Sequence, residues 1–397
     1  MKKIDLIIIG AGLYVCGKGT NGFGTILPAI FEWERDNNKI ANLFCVSTSN
    51  LSAKQLLKKG KELTSKTGVK INIKAYPQSN KKNPQSYKEV IKKLKKPACA
   101  IVAVPDHLHY EVIKDCLLSG LHTLVVKPFT STYEEGADLV RLAEKKKLYG
   151  AVEFHKRWDK SNIIMRDRLR SGALGSPLYC WIEYSQRRSI PLSFFKAWAE
   201  NTSILQYLGV HYVDIIRFVT GAIPKRVLAT GQKYEILRNN IDTHDSIQSL
   251  IEWEMPDGHK FIQTILTNWI DPNSSSAISD QKIKLVGAKG RYEANQKDRG
   301  IMLNNDEVGI EHINPDFCMP YGTKDGSIQW KGYGIDSIMS FIDDVIQLSN
   351  KKITLSELEV SRPSFNESLI STAVIQAAHK SLNNNSQWEN IINHASK

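Results

Sequence analysis

Two stretches of this sequence carry side chains whose types and spacing suit proton and charge transfer. In Ile204-Leu-Gln-Tyr-Leu-Gly-Val-His-Tyr-Val-Asp214, Tyr207 and His211 are four residues apart and His211 and Asp214 three, so on a helix all three share one side. A histidine exchanges a proton near neutral pH, and a tyrosine in a low-dielectric setting donates or accepts one. The same pattern also suits a satisfied core histidine, with Asp214 paired to Arg217. Earlier in the chain, Pro105-Asp-His-Leu-His109 and Lys127-Pro128 each close an apolar run. His107 and His109 have a spacing found in metal ligands, but no Cys or carboxylate pair accompanies them, and no metal is expected.

The elements that must position these groups begin with Asp5-Leu-Ile-Ile-Ile-Gly-Ala-Gly12. Ile4 to Ile9 reads as a strand buried on both faces of a parallel sheet. Gly10 and Gly12 then permit a tight turn and close main-chain approach to a ligand, the pattern of a dinucleotide pyrophosphate site. Val15 stands at the third glycine position, and Gly17, Gly19, Gly22 and Gly24 predict an enlarged loop before a helix beginning near Thr25. A strand-to-helix turn with no ligand is the plainer alternative.

Strands and helices alternate to residue 150. Ala41 to Val46 is predicted as the second strand and Ser52 to Leu63 as its helix, with Ser52 as N-cap. Val69 to Ile73 follows as a weaker third strand, with Tyr76 to Ser86 a connection. Ala98 to Val104 and Thr123 to Val126 are further strands, and Thr132-x-x-Glu135 is a capping box opening a helix to about Lys147. Such repeats imply a doubly wound parallel sheet, whose ligands lie beyond the carboxyl ends of the strands. The glycine turn, Asp106-His107-His109 and Lys127 all fall there. The second strand ends in Val46-Ser-Thr-Ser-Asn50 with no acid, and Lys54 follows. Small hydroxyls and a lysine tolerate a 2′-phosphate, which favours NADP slightly and leaves NAD open.

Beyond Gly150 the alternation stops. A helix over about 161–171, a strand from Leu178 to Tyr184, and the helix from Ile204 to Val219 stopped by Gly221 are predicted. Runs at 226–232, 246–253, 260–266, 282–286 and 290–292 then predict a mostly antiparallel sheet, and helices near 336–348 and 364–381 close the chain. Arg187, Arg188, Lys196 and Asn201 suit either a polar pocket or an exposed loop.

Bulk composition narrows the classes. A chain of 397 residues with 42% apolar residues is long enough for two domains. No apolar run has the length of a membrane span, and the Met1-Lys2-Lys3 start leads into a strand instead of a signal sequence. Six scattered cysteines without a C-x-x-C pair fit reduced structural thiols and a cytoplasmic location. The net charge of +12 matches the excess between Lys54 and Lys96, where fourteen lysines face Glu62 and Glu89 with no arginine. That spacing reads as solvated helix faces and not as a nucleic-acid site.

The glycine turn, Pro105-Asp-His-Leu-His109, Lys127-Pro128, Phe154-His-Lys-Arg-Trp158 and Leu208-Gly-Val-His-Tyr-Val-Asp214, in that order, resemble the Gfo/Idh/MocA family of NAD(P)-dependent oxidoreductases. The resemblance implies an α/β chain: a Rossmann domain over 1–152 and an α+β domain with a large open sheet over 153–397, its closing helix over about 363–381 packing back on the first domain. It implies hydride transfer between nicotinamide and a sugar-type substrate, and a homo-oligomer, dimer or tetramer. Gly10, Gly12 and Leu13 would hold the pyrophosphate, Ser47 and Thr48 the adenosine ribose, and Val104, Pro105, His109, Lys127 and Pro128 the nicotinamide end. Lys127, His211 and Tyr207 would be catalytic, with His155, Arg157, Trp198 and Thr202 as further substrate contacts. Val126 departs from the Glu expected before Lys127, Tyr207 from an Asp, and His155 from an Asn. A non-catalytic NAD(P)-binding sensor of the same fold is the alternative those departures favour.

Overall fold

The computed structural model describes residues 3–80, 82–307 and 309–392. Two compact units form: Met1–Thr130 with Glu134–Trp158 and Asp316–Ser368, and Ser131–Tyr133 with Asp159–Pro315 and Leu369–Lys397. The sequence reading divides the chain at 152/153; by packing the division falls after Trp158, and residues 316–368 belong to the first unit.

The first unit holds six parallel strands, β1 (Ile4–Ile9), β2 (Ile40–Val46), β3 (Ile73–Tyr76), β4 (Ala98–Val102), β5 (His122–Val126) and β6 (Gly150–Glu153). Their order is β3-β2-β1-β4-β5-β6. All six β1 residues and all five of β4 are buried, as strands covered by helices on both faces require; Asp5, the one charged member of β1, accepts from the Asn42 side-chain amide and the Lys95 main-chain amide, each at 2.8 Å. The strand order reverses direction between β1 and β4, which opens a crevice at their carboxyl ends.

Several boundaries differ from the sequence reading. The helix after β2 runs Asn50–Thr67, and its N-cap is Ser49, whose hydroxyl accepts from the Ser52 amide at 3.3 Å. Both serines have capping chemistry, and the earlier one lets Leu51 join the helix. β3 begins where the predicted strand ended, because Gly68 at φ +72 stops the long helix and the chain uses Val69 to Asn72 to return. Val69 and Ile71 pack on the core from that connection, which explains their strand-like look. The glycine loop includes one helical turn that the reading omitted, Leu13–Cys16, ended by Gly17 at φ +67; the long helix follows at Ile26–Asn37.

Residues 316–368 complete the first core. Ile335, Ile338, Phe341, Ile342 and Val345 of the helix Tyr333–Ser349 join the cluster that includes Phe31 and Trp33. The Trp33 indole donates to Asp343 at 2.7 Å, and the Trp330 amide to Glu32 at 3.0 Å. Phe365 stacks on Phe129 at 4.5 Å and covers Gly150, where no methyl fits.

The second unit is built on β7 (Pro177–Arg187), β8 (Ile223–Gln232), β9 (Ser246–Glu254), β10 (Lys260–Asp271), β11 (Ser279–Gly287) and β12 (Arg291–Asn295). They lie in the order β12-β11-β7-β10-β9-β8, with the short strand Glu389–Asn390 at the β8 edge. Only the β7–β10 pair is parallel. Burial alternates along β9, β10 and β11, so one face packs and the other is partly exposed. The strand pairs Met302–Asn305 with Gly309–His312 and Met319–Gly322 with Ile328–Lys331, and the helix Leu355–Ser361, lay outside the sequence expectations. Polar four-residue strands leave little periodic signal. No helix among the described residues is long and apolar enough to cross a membrane.

Gly10 is the tightest point of the first sheet. At φ +126, a Cβ there would sit 2.0 Å from the Ala103 carbonyl oxygen, whereas one at Gly12 would meet nothing within 4 Å. Gly10→Ala should therefore destabilise the fold by about 3 kcal/mol or more, and Gly12→Ala by no more than about 0.5 kcal/mol. Urea unfolding followed by tryptophan fluorescence checks the contrast, and equal midpoints for the two variants would show that the contact is unimportant.

Candidate functional site

In the first unit the predicted residues converge on the carboxyl ends of the strands. Gly10 leaves β1 with its amide donating to the Val46 carbonyl at 2.8 Å, and the Ala103 amide donates to Ile9 at 2.8 Å. The glycine turn and Val104-Pro105 are thereby held beside one another. Open space at Gly12 and the closed contact at Gly10 form the cradle that a pyrophosphate needs. Leu13 follows at the start of the single helical turn.

At the end of β2, Ser47 is buried, donating to the Ser49 and Tyr76 carbonyls at 2.9 and 3.2 Å, while Thr48 is exposed. The enlarged loop brings Lys18 to this place, its amine donating to the Ser52 hydroxyl at 3.0 Å. Lys59 fastens the loop by donating to the Thr20, Asn21 and Gly22 carbonyls at 3.2, 3.3 and 2.7 Å. Neither lysine was singled out in the sequence as a loop contact, because both contacts span more than thirty residues.

His109 is fully buried, its ring nitrogens facing the Val104 carbonyl at 2.9 Å and the Pro128 carbonyl at 2.8 Å. It ties the segment after β4 to the one after β5. His107, by contrast, is exposed. Lys127 is half-buried; loss of water pushes its amine down to about 8, against the pull of Asp106 and Glu153. An amine titrating there donates a hydrogen bond at neutral pH and suits an oxygen that gains negative charge.

Sequence reasoning missed Glu153. It pairs in parallel register with Val126, the residue before Lys127, so both side chains leave the same sheet face. Its carboxylate is buried and accepts from the Ser337 hydroxyl at 2.7 Å and the His155 Nδ1 at 2.9 Å. Tyr14, on the turn after the glycines, also hydrogen-bonds Glu153, and burial pushes its phenol well above the usual tyrosine range. His155 stacks on Tyr333 at 5.6 Å and against Phe317 at 5.2 Å. Arg157 is buried 3.6 Å from Glu367. A charged residue at the end of an otherwise apolar strand was the available signal.

In the second unit, the predicted helix opens with a π-helical turn, Leu205–Gly209, before the α-helix Val210–Thr220. A Cβ at Gly209 would meet the tip of the Leu205 side chain at 2.5 Å. Such turns widen a helix and recur at functional sites. Tyr207 is half-buried and its ring lies on Trp269 at 6.0 Å, with Phe195 at 4.9 Å and Trp198 at 6.3 Å. His211, Asp214 and Thr202 are buried, and Thr202 accepts from Thr243 at 3.1 Å. Arg217 donates to the Gly221 and Ala222 carbonyls and so caps this helix. Arg187 bonds to Ser275, and Arg188 lies 3.5 Å from Glu235, so both brace loops of the sheet.

Residues 36–154 match the family profile described as "Oxidoreductase family, NAD-binding Rossmann fold", and residues 163–293 match the "GFO/IDH/MocA C-terminal domain". Among curated proteins, the chain is 29% identical over 154 residues to scyllo-inositol 2-dehydrogenase (NADP(+)) IolW of Bacillus subtilis, covering 38% of this chain and 42% of that one. It is 28% identical over 130 residues to UDP-N-acetylglucosamine 3-dehydrogenase of Acidithiobacillus ferrooxidans, covering 33% and 38%. The match spans less than half the length of these relatives. The crystal structure of scyllo-inositol dehydrogenase from Lactobacillus casei with bound NAD(H) and scyllo-inositol has the same fold, with a TM-score of 0.67, 14% identity and 98% and 99% of the two chains covered. With a parallel sheet in the order above, a glycine cradle at its switch point and both profiles matched in sequence, the chain belongs to the Gfo/Idh/MocA oxidoreductase family.

Proposed function

We propose that the protein is an NAD(P)-dependent oxidoreductase acting on a hydroxyl or keto carbon of a sugar, inositol-like or nucleotide-sugar substrate. The observation that carries this reading is the gathering of the Gly10 cradle, Pro105 and the depressed amine of Lys127 at adjoining strand ends of one sheet. The polyol and sugar-nucleotide substrates named for the two curated relatives support the substrate class.

Gly10, Gly12 and Leu13 hold the pyrophosphate, and Val104, Pro105, Lys127 and Pro128 face the nicotinamide end, braced by His109. The bound nicotinamide supplies the hydride chemistry. Lys127 donates a hydrogen bond to the reacting oxygen and stabilises charge developing there. His211 takes the hydroxyl proton in oxidation and returns it in reduction, with Tyr207 as a second donor. His155, Arg157, Trp198 and Thr202 are the further substrate contacts of this proposal. The absence of an acid after β2, together with Lys18 beside Ser52, favours NADP. The exposed sheet face bearing Tyr179 and Trp181 suits self-association into a dimer or tetramer, and we place the protein in the cytoplasm.

Lys127→Ala and His211→Ala should each lower kcat by about a hundredfold or more in an NAD(P)H absorbance assay across inositols, sugars and nucleotide sugars. Wild-type turnover in both variants would refute the roles, and cofactor binding without turnover on any substrate would favour the sensor reading. Because the amine must stay protonated to donate, kcat/KM should fall as pH rises through about 8, and Lys127→Arg should remove that limb. Lys18→Ala should weaken NADPH binding about tenfold and leave NADH unchanged in a fluorescence titration. Equal losses for both cofactors would argue against a 2′-phosphate contact.

A further inference from the structure

We propose that Lys59 is the positioning residue for Lys18: its ammonium fastens the enlarged glycine loop to the helix Asn50–Thr67 and so holds the Lys18 amine beside Ser52, ready for a 2′-phosphate. The inference deepens the NADP reading and rests on Lys18 being the 2′-phosphate contact. Lys18 needs such help. It is exposed, on a segment that carries Gly17, Gly19, Gly22 and Gly24 within eight residues. A flexible stem on glycine-rich main chain keeps no single direction unless the main chain is tied down.

Lys59 supplies the tie. Its amine donates to the Thr20, Asn21 and Gly22 carbonyls at 3.2, 3.3 and 2.7 Å, as many acceptors as an ammonium has N–H groups. The Phe23 ring lies 4.9 Å from the same nitrogen, and Phe23 packs edge-to-face on the core residue Trp330 at 5.7 Å. The loop is therefore gripped through its carbonyls and backed by an aromatic ring that is itself anchored in the first unit.

The grip reaches Lys18 through short links. A Cβ at Gly17, where φ is +67, would lie 2.2 Å from the Gly22 carbonyl oxygen, so the carbonyl that Lys59 holds most closely is packed on the residue next to Lys18. The Thr20 hydroxyl donates to the Gly17 carbonyl at 2.9 Å and accepts from the Gly22 amide at 3.1 Å, and the Thr20 amide also donates to the Gly17 carbonyl at 2.9 Å. Gly17 to Gly22 is thus one closed set of contacts, with Lys59 at one end and Lys18 at the other.

The helix completes the geometry. Ser52 and Lys59 lie seven residues apart on it, which is two turns, so they share a face and stand about 10 Å apart along the axis. The loop runs along that face, with Lys18 on the Ser52 hydroxyl at 3.0 Å and Lys59 fixing the far end. Ser52 is held in turn, its hydroxyl accepting from Ser49 at 3.2 Å. Loss of the Lys59 amine leaves Lys18 chemically intact but able to sample other directions. If it is then in place only about a fifth of the time, the NADPH Kd rises about fivefold, while NADH, which has no 2′-phosphate, is unaffected. A direct pull of the Lys59 charge on the phosphate would not need Lys18, which separates the two causes.

The first measurement uses the full-length protein without cofactor. Trypsin cuts after Lys18 when the loop opens, and fragments beginning at Gly19, followed by mass spectrometry, report that opening. Lys59→Met should speed the cut about fivefold or more. The second is a fluorescence titration, in which Lys59→Met should raise the NADPH Kd about fivefold, leave NADH unchanged, and have no effect in the Lys18→Ala background. An unchanged cutting rate, equal losses for both coenzymes, or a Lys59 effect that persists without Lys18 overturns the proposal. Selective NADPH loss in Lys18→Ala with none in Lys59→Met sinks the positioning role alone; no loss in either sinks the 2′-phosphate reading with it. If Lys59→Met fails to fold, Thr20→Val, which cuts the middle link at an exposed position, should give the same pattern, and no change in cutting or in NADPH affinity there overturns the proposal equally.

Discussion

At the switch point of the first sheet, the main chains of β1 and β4 meet at Gly10 and Ala103 with no space for a methyl group. Everything proposed for the cofactor half depends on that approach. It sets the glycine turn against Val104-Pro105, and His109 passes the constraint onward by bridging the Val104 and Pro128 carbonyls. The register of β5 with β6 carries it to Glu153, and Tyr14 returns it to the glycine turn. Four strand ends are thus tied to each other by main-chain contact, one buried imidazole and one buried carboxylate. Rigid placement of this kind is what lets a single amine act on a reacting atom, since small misplacement is costly in rate.

Burial at these positions works in two directions. Loss of water lowers Lys127 toward neutrality, and the nearby carboxylates raise it again. The balance leaves the amine charged at physiological pH yet close to its midpoint, which suits the role proposed for it. The same burial fixes the phenol of Tyr14 in its protonated form, so it serves as a donor to Glu153. Among the described cysteines, burial pushes the thiols of Cys45, Cys99, Cys116 and Cys180 up, which fits inert packing.

The second unit solves a different problem. Its helix Val210–Thr220 must carry polar side chains while packed on a sheet, and it is held by hydrogen bonds rather than apolar contact alone. Tyr212 donates to Gln296 at 2.6 Å, and its carbonyl accepts from Gln263 at 3.0 Å. The π-helical turn before it places Tyr207 among Phe195, Trp198 and Trp269.

The sequence by itself determined the long buried strands of the first sheet and the candidate side chains. Strongly apolar runs ending on Gly10, Pro105 and Lys127 suit strands buried on both faces of a parallel sheet, and Gly10 and Gly221, after the helix Val210–Thr220, record local backbone needs. It also named Lys127, Tyr207 and His211, because residue type and helical spacing are local properties. Tertiary structure alone decided what surrounds them. Sheet register set Glu153 beside Val126; the enlarged loop carried Lys18 to Ser52; and residues 316–368 packed into the first core instead of the second. Each of these joins residues far apart in the chain, and their pairing depends on how strands order and helices pack, which no local pattern of residues encodes.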